Sequence, residues 1–258
     1  MTSLSEQSEK QTEYLDGAFP MDTNLPIVLL SRKNLFTFVT ILPFLIEDDG
    51  QESLTETTTM SSLKERFVET LAATRRKGMD QVLARLEEQG FFEAPASARF
   101  HLNCKGGLME HSMNVYIAAL MLREQAVKVR PELEAQLPFD SIAISTLLHD
   151  TCKTDIYKET VLSRKKADGT WEKYPGYQSD YTTSLPLGHG EKSVIMLLSW
   201  GLELKPEEML AIRWHMAAWD LPLQSGEHKE SLNAAKAMTP LVSLVQLADG
   251  FAAGIMER

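Results

Sequence analysis

Apolar residues recur every three to four positions through most of the chain from Ser61 onward, in segments bounded by glycine or proline. This spacing places the apolar side chains on one face of a helix. Strand-like alternation is scarce, and no internal repeat is found. The pattern therefore predicts an all-α fold, with helices over residues 61–78, 79–90, 108–129, 139–153, 190–201, 206–220 and 239–258.

Residues 155–188 interrupt the helical pattern with several glycines and prolines, separated by aromatic residues. We predict a long loop with a short hairpin, and loops of this length often serve a function. The segment is a candidate lid, because Arg164, Lys165 and Lys166 give it positive charge and its aromatic side chains could stack on a base or sugar. The alternative is a solvated basic turn whose tyrosines pack as a minor core.

The first 60 residues differ from the rest. Two polar stretches flank an apolar run, Ile27–Ile46, which two basic residues and a proline interrupt. The polar composition predicts poor order, and the interruptions favour a helix or strand lying on the main domain over a membrane span. We therefore predict a partly disordered N-terminal extension over residues 1–60 and a domain over residues 61–258 that carries the chemistry.

Charge and cysteine content limit the partners and the compartment. The formal net charge is −10, and residues 1–60 hold ten acidic and three basic residues. Such a chain is a poor partner for duplex nucleic acid, whereas a small anionic substrate remains compatible with locally gathered positive charge. Cys104 and Cys152 form no CxxC pattern and are too few for a disulfide framework. We therefore expect both thiols to be reduced and the protein to be cytoplasmic. No membrane partner is expected.

Four of the six histidines and two aspartates lie in apolar surroundings: His111, His149, His189, His215, Asp150 and Asp249. Any one such histidine is more often a hydrogen-bonded core residue than a ligand. A buried carboxylate costs several kcal/mol unless a cation or good hydrogen bonds compensate it. A shared cation explains all six residues together.

Helical spacing favours convergence of these side chains. Asp249 shares a predicted helix face with Val245, and His111 shares one with Leu108. His215 similarly falls on the face of Ile212. Side chains from several helices can meet inside a bundle, where metal sites are commonly built.

The order of these residues resembles that of the HD-domain superfamily of metal-dependent phosphohydrolases, over roughly residues 100–255. The stretches GGLMEHSMNVY, LLHDTCK, GHGEKS and AIRWHM are similar to those of small stand-alone bacterial members. The resemblance implies an HD-type helical bundle in which one metal ion is bound by His111, His149, Asp150 and Asp249. In the two-metal branch, His189 and His215 would hold a second ion and Asp150 would bridge both. Imidazole-rich donors favour iron, manganese, cobalt, nickel or zinc.

The implied reaction is hydrolysis of a phosphomonoester or phosphodiester, of a nucleotide or a similar small molecule, by a hydroxide shared between two ions. Asp150 and Lys153 are the first catalytic candidates, and Lys153 would also contact the substrate phosphate. Lys192 and Arg164 are further candidates for substrate binding. Glu191 is a candidate general base or a partner of His189. For the lysines and Glu191, the alternative is a solvated charge near a helix end.

Two other functions fit the same ligand set. Some HD-fold proteins with four histidines and two aspartates resemble di-iron oxygenases that cleave C–C or C–P bonds. A non-catalytic nucleotide-binding regulator that keeps its metal site is the second alternative. Lys153 and the basic loop favour phosphate handling, although an anionic oxygenase substrate would also suit them.

Overall fold

The computed structural model describes residues 56–180, 185–217 and 226–257, which belong to one compact unit, Glu52–Arg258. The predicted extension therefore lies almost wholly outside the described residues. The described ranges contain nine α-helices: α1 Glu56–Ala73, α2 Met79–Glu88, α3 Gly107–Val129, α4 Leu133–Gln136, α5 Phe139–Leu147, α6 His189–Ser199, α7 Pro206–Arg213, α8 Gly226–Met238 and α9 Pro240–Phe251. A 3₁₀ helix spans Thr151–Thr154, and a π-helix, Ala252–Met256, follows α9. The all-α prediction is confirmed.

The predicted loop contains a regular antiparallel hairpin, β1 Tyr157–Lys165 and β2 Trp171–Ser179. It is the only sheet in the described ranges. Gly169 adopts a φ of 86° in the turn, a conformation that glycine reaches without steric cost. The Asp168 carboxylate accepts a 2.9 Å hydrogen bond from the backbone N–H of Thr170 and tightens the same turn.

The core forms where α3 packs against α5 and α9. Val115 and Leu120 of α3, Ile142 of α5 and Val245 of α9 are all buried. Burial of each such side chain stabilises the fold by about 1.5–3 kcal/mol. The predicted ligand residues His111 and Asp249 lie on two of these packed helices, α3 and α9.

The predicted helix over 139–153 ends early, at Leu147. Leu148 leaves helical geometry with a φ of −113° and a ψ of 4°, and the 3₁₀ helix begins three residues later. His149 and Asp150 lie in this break. Side chains of adjacent residues diverge on an α-helix. Because His149 and Asp150 lie in the break, their side chains are not forced apart by α-helical geometry.

The predicted helix over 206–220 also ends early, at Arg213, so that His215 lies in the turn after α7. A shared helix face for Ile212 and His215 was therefore the wrong description, although the two residues are in contact. The helix α8 was not predicted from the sequence. Its segment, GEHKESLNAAKAM, is largely polar and has no clear apolar periodicity.

A buried ion pair joins the starts of two helices. The Arg76 guanidinium donates to both carboxylate oxygens of Glu208 on α7, at 2.6 and 2.8 Å. The Ser141 hydroxyl on α5 donates to the same carboxylate at 2.6 Å. Because Glu208 is fully buried, these charge-assisted bonds hold α5 and α7 side by side at their N-terminal ends.

Close backbone packing joins α6 to the end of α7. A Cβ atom on Gly190 would lie 2.3 Å from the carbonyl oxygen of Arg213. Only glycine allows this approach, which brings His189, the first residue of α6, beside the segment that carries His215.

No single helix in the described part of the chain has the length and apolarity of a membrane span. Residues 228–238 and 240–256 pass that test only as a pair, bent by 107°.

Candidate metal centre

His111 and Asp249 approach each other from α3 and α9. The Nε2 atom of His111 lies 3.3 Å from Oδ1 of Asp249 and 3.7 Å from Oδ2 of Asp150. His111 and Asp150 are both about 1% exposed. Asp150, in the helix break after α5, therefore lies beside His111 of α3 in the interior of the bundle.

His149 and His215 have the same local arrangement. The Nδ1 atom of His149 donates to the carbonyl oxygen of Thr146 at 2.6 Å, and Nδ1 of His215 donates to that of Ile212 at 2.7 Å. A carbonyl oxygen can only accept, so each Nδ1 carries the proton. In the neutral rings, Nε2 then presents a lone pair to the interior.

These lone pairs face the Asp150 carboxylate. Nε2 of His149 lies 3.2 Å from Oδ2, and Nε2 of His215 lies 3.4 Å from Oδ1. Both Nε2 atoms and Oδ1 of Asp150 are buried without a hydrogen-bond partner among the described residues. Facing acceptors repel each other, and an unpaired buried polar atom costs about 1–3 kcal/mol. A positive charge between them, either a proton or a metal ion, removes this cost.

His189 approaches the cluster from the start of α6. One of its ring nitrogens, a carboxylate oxygen of Asp150 and the Cys152 thiol sulfur lie within 4.8 Å of one another. Three other triads meet the same limit: His111 with His149 and Asp150, His149 with His215 and Asp249, and His101 with His111 and Glu257. All six residues that the sequence singled out are thus brought together, and the buried cluster could hold a metal ion.

Lys153 adds a positive charge at the edge of this cluster. Its ammonium lies 2.6 Å from Oδ2 of Asp150, and its side chain is 8% exposed. Burial alone would lower the pKa of Lys153, but the charge of Asp150 and the nearby Tyr157 raise it. Lys153 is therefore a permanent cation at the site.

The two aspartates are held ionised. Burial alone would raise the pKa of Asp150, but Lys153 and His149 outweigh it and hold the pKa well below the usual range. Burial also acts to raise the pKa of Asp249, and the hydrogen bond and charge of His111 lower it. Ionised carboxylates are the form that binds metal ions.

His111 has the opposite shift. Burial alone would lower its pKa, but hydrogen bonds to Asp249 and Glu257 raise the pKa of His111 to about 9. In the metal-free protein, the imidazolium of His111 thus supplies part of the positive charge that the two aspartates demand. A metal ion at Nε2 would replace the proton there.

The other three predicted site residues have different surroundings. Lys192 is buried and forms an ion pair with Asp155, whereas Glu191 pairs with Arg213 at 2.7 Å. Arg164 lies on the hairpin, 65% exposed and paired with Glu172 at 2.9 Å. Glu191 belongs to none of the metal-binding triads, whereas Lys192 is close enough to Cys152 for its charge to act on the pKa of that thiol. Their roles toward substrate stay predictions.

Sequence reasoning missed two residues beside His111. Glu257 accepts from Nδ1 of His111, and the His101 ring lies 4.9 Å from the His111 ring, centroid to centroid. Neither residue has a periodic signal, because Glu257 follows the π-helix and His101 precedes α3 in a turn.

A surface cleft elsewhere is separate from this cluster. It encloses about 270 Å³ near the starts of α5, α7 and α9, and Ser141, Lys205 and Thr239 are among its lining residues. No member of the histidine and aspartate cluster lines it. The cleft therefore adds nothing to the chemistry of the buried site.

No protein-family model matches the chain, and no solved structure is significantly similar to it. One curated protein matches part of it, the dihydroneopterin 2′,3′-cyclic phosphate phosphodiesterase of Methanocaldococcus jannaschii. The two are 33% identical over 91 residues. The match covers 35% of this chain and 33% of that relative, so the chain spans about a third of the relative's length.

Proposed function

We propose that the chain is an HD-type, metal-dependent phosphohydrolase. The observation that carries this proposal is the set of facing polar atoms around Asp150: the Nε2 atoms of His149 and His215 lie 3.2 and 3.4 Å from its carboxylate oxygens, buried and without a hydrogen-bond partner among the described residues. A metal ion is the natural occupant of such a site, since neutral imidazole and ionised carboxylate are both metal-binding forms. The partial similarity to a phosphodiesterase supports a phosphoester as the substrate.

The donors fit two ions better than one. The cluster contains four imidazoles and two carboxylates, more donors than one transition-metal ion usually takes from a protein. We assign His111, His149, Asp150 and Asp249 to the first ion, and His189 and His215 to the second, with Asp150 shared. Iron, manganese, cobalt, nickel and zinc suit these ligands. When bound, the ions would supply a nucleophile derived from water and polarise the phosphoryl oxygens.

Lys153 is the residue that we assign to the substrate phosphate. Its ammonium is positioned by Asp150 and keeps its charge, so it can stabilise negative charge that develops on the phosphoryl oxygens. Lys192 and Arg164 would add binding energy for the same anion, and Glu191 would act as a base or as a partner of His189. Each of these three must give up an existing ion pair to do so.

The substrate that we propose is a small phosphomonoester or phosphodiester of a nucleotide or a related molecule. The relative is named for a 2′,3′-cyclic phosphate, and such phosphates therefore belong in the first screen. The candidate lid for a base or sugar is the basic hairpin with its tyrosines, whose first residue, Tyr157, is close enough to Lys153 for their charges to interact.

The test combines metal analysis with a phosphoester panel. Protein purified with and without oxygen is analysed for bound metals and assayed on mononucleotides, cyclic nucleotides and 2′,3′-cyclic phosphates. We compare the wild type with Asp150→Asn, and with Asp80→Asn as a matched control at an exposed carboxylate on α2. Asp150→Asn should lose the metal and reduce phosphate-ester cleavage at least 10³-fold, because Asp150 serves both ions. Asp80→Asn should change neither.

Three outcomes would contradict the proposal. Full metal content in Asp150→Asn would show that Asp150 is not the shared metal ligand that we assign. Substrate-dependent oxygen consumption by an iron-loaded protein, without ester cleavage, would instead support the oxygenase. Specific nucleotide binding without turnover in the metal-loaded protein would support the regulator.

A further inference from the structure

The two ring nitrogens of His111 have different partners. Nε2 faces Asp249 and Asp150, whereas Nδ1 lies 3.0 and 3.1 Å from the two oxygens of Glu257. His149 and His215 differ, because each donates Nδ1–H to a backbone carbonyl three residues earlier. Of these three histidines, His111 is therefore the one whose Nδ1 faces a charged side chain.

Glu257 is built into the interior and is not a chance surface contact. Its side chain is 1% exposed, and Nδ2 of Asn114, also on α3, donates to its Oε1 at 3.1 Å. The backbone N–H of Glu257 donates to the carbonyl of Ala252, five residues earlier, which is the π-helical bond that ends the segment. Asp249 and Glu257 thus contact the same ring from one continuous segment of chain.

We propose that Glu257 is a positioning residue for the metal centre. Its carboxylate holds the proton of His111 on Nδ1, so that the lone pair of Nε2 points toward the metal, and its charge makes that nitrogen a stronger donor. Carboxylate–histidine–metal arrangements of this kind orient the ring and tune the ligand, and their loss costs about 10–100-fold in metal affinity. The inference rests on the proposed function, because it takes His111 as a metal ligand.

The short segment from Asp249 to Glu257 then contacts both ring nitrogens of His111. Asp249 lies on α9, and Glu257 follows directly after the π-helix, Ala252–Met256. A regular α-helix would place the next residues by i→i−4 bonds, whereas the i→i−5 bond to Ala252 inserts one residue into the turn. We assign to this insertion the task of turning Glu257 toward α3.

The test measures Zn²⁺ affinity by competition with a fluorescent chelator in full-length wild type, Glu257→Ala and Glu257→Gln. Glu257→Ala should bind Zn²⁺ about 10–100-fold more weakly. Glu257→Gln should lose less, because the amide oxygen still accepts from Nδ1 but carries no charge. Glu110→Gln is the matched control, since Glu110 lies close enough to Glu257 for their charges to interact but is not a partner of His111.

A second readout separates positioning from general damage. Proton NMR of the Zn²⁺-loaded protein should show a downfield Nδ1–H resonance of His111, assigned by its absence in His111→Gln. That resonance should be lost in Glu257→Ala and retained in Glu110→Gln. Thermal unfolding of the metal-free proteins is recorded in parallel. A loss of affinity at an unchanged unfolding temperature is the result expected of a positioning residue.

The failures of the two proposals are distinguishable. A wild type that binds none of Zn²⁺, Mn²⁺, Fe²⁺, Co²⁺ and Ni²⁺ would overturn the proposed function, and this inference with it. A wild type that binds Zn²⁺ tightly, with Glu257→Ala binding within twofold and keeping the resonance, would overturn only the role of Glu257. An equal loss in Glu110→Gln would also overturn it, because the effect would then be one of general charge.

Discussion

The ammonium of Lys153 lies 2.6 Å from Oδ2 of Asp150, and both side chains are buried in the centre of the bundle. Removal of one partner from a buried ion pair typically costs about 3–5 kcal/mol, because it leaves the other charge uncompensated. A metal ion at the cluster would compensate the same carboxylate. Lys153 and the metal ion would therefore both compensate the negative charge of the Asp150 carboxylate.

This sharing predicts a metal-dependent effect of Lys153→Met. In the presence of a chelator, the variant should lose about 3–5 kcal/mol in the free energy of unfolding measured with urea. With Zn²⁺ in excess, the loss should be smaller. Lys105→Met is the control, since Lys105 pairs with Glu93 at the surface and should contribute only about 0–1 kcal/mol. Equal losses with and without metal would contradict the prediction.

The stability of the metal-free protein should fall as the pH rises from about 6.5 to 9. The pKa of His111 is raised from 6.5 to about 9, so its protonated form stabilises the fold below the first value, and this contribution is lost as the pH passes the second. The lowered pKa values of Asp150 and Asp249 act in acid, where stability is lost once these groups are protonated. The acid loss begins only below the ordinary aspartate pKa of 3.8, so thermal unfolding in chelator from pH 2 to 10 measures both limbs.

The alkaline limb can be assigned by substitution. His111→Gln should flatten it, leaving a residual slope from His215, whose pKa Asp150 raises against the effect of burial. His228→Gln, at a histidine outside the cluster, should leave the profile unchanged. Excess Zn²⁺ should remove most of the slope, because the metal displaces the proton from His111. An unaltered slope in His111→Gln would show that other groups cause it.

Gly190→Ala should damage both the fold and the site. The new Cβ atom would lie 2.3 Å from the carbonyl oxygen of Arg213 and 2.6 Å from that of Ile212, which orients His215. We expect a loss of about 1–3 kcal/mol in unfolding free energy, together with weaker binding of the second metal ion. Gly250→Ala is the matched control beside Asp249, where a Cβ atom meets nothing within 4 Å.

Measured by calorimetric titration with Zn²⁺, Gly190→Ala should lose stoichiometry or affinity, whereas Gly250→Ala should match the wild type. In an otherwise regular helix, alanine for glycine stabilises by about 0.4–1 kcal/mol. A Gly190→Ala protein with wild-type stability and metal binding would show that the contact between α6 and α7 can relax without consequence.

The two cysteines should react very differently in the folded protein. Cys104 is exposed, whereas Cys152 is buried, and burial raises the pKa of its thiol to about 12. Because the thiolate is the reactive form, iodoacetamide at pH 8 should modify Cys104 alone. Mass spectrometry of tryptic peptides reads the sites, and unfolding in urea should expose the second thiol. Rapid modification of Cys152 in the native protein would place that thiol outside the core.

Local patterns predicted the long helices well and their functional ends poorly. The helix α3 begins and ends within one residue of the predicted 108–129, because its apolar periodicity is sustained and Pro131 follows. The apolar run through Leu147 and Leu148 has no glycine or proline, so nothing in it announced the break before His149. In the break, Asp150 meets His111 and His215 from other segments of the chain, and no local sequence pattern contains those contacts.

The six clustered residues could be named from the sequence, but their supporting partners could not. Any one of the histidines could have been a core residue, and the six were recognised as an ordered set of histidines and aspartates in apolar surroundings. Glu257 lies 146 positions from His111 and follows an irregular turn, so no spacing rule connects them. The hairpin was only partly anticipated, since its glycines and prolines indicated turns more strongly than its alternating residues indicated strands.

The buried ion pair between Arg76 and Glu208 affects the metal centre at the opposite ends of α5 and α7. It fastens α5 and α7 at their starts, while His149, Asp150 and His215 follow their ends. Each helix is about 12 Å long, so the relative position of their first residues sets the distance between the imidazoles of His149 and His215 at the other end. Substitution of Glu208 would therefore alter metal affinity without touching a ligand. A screen for variants with lost activity would find such distant helix-positioning residues together with the ligands themselves.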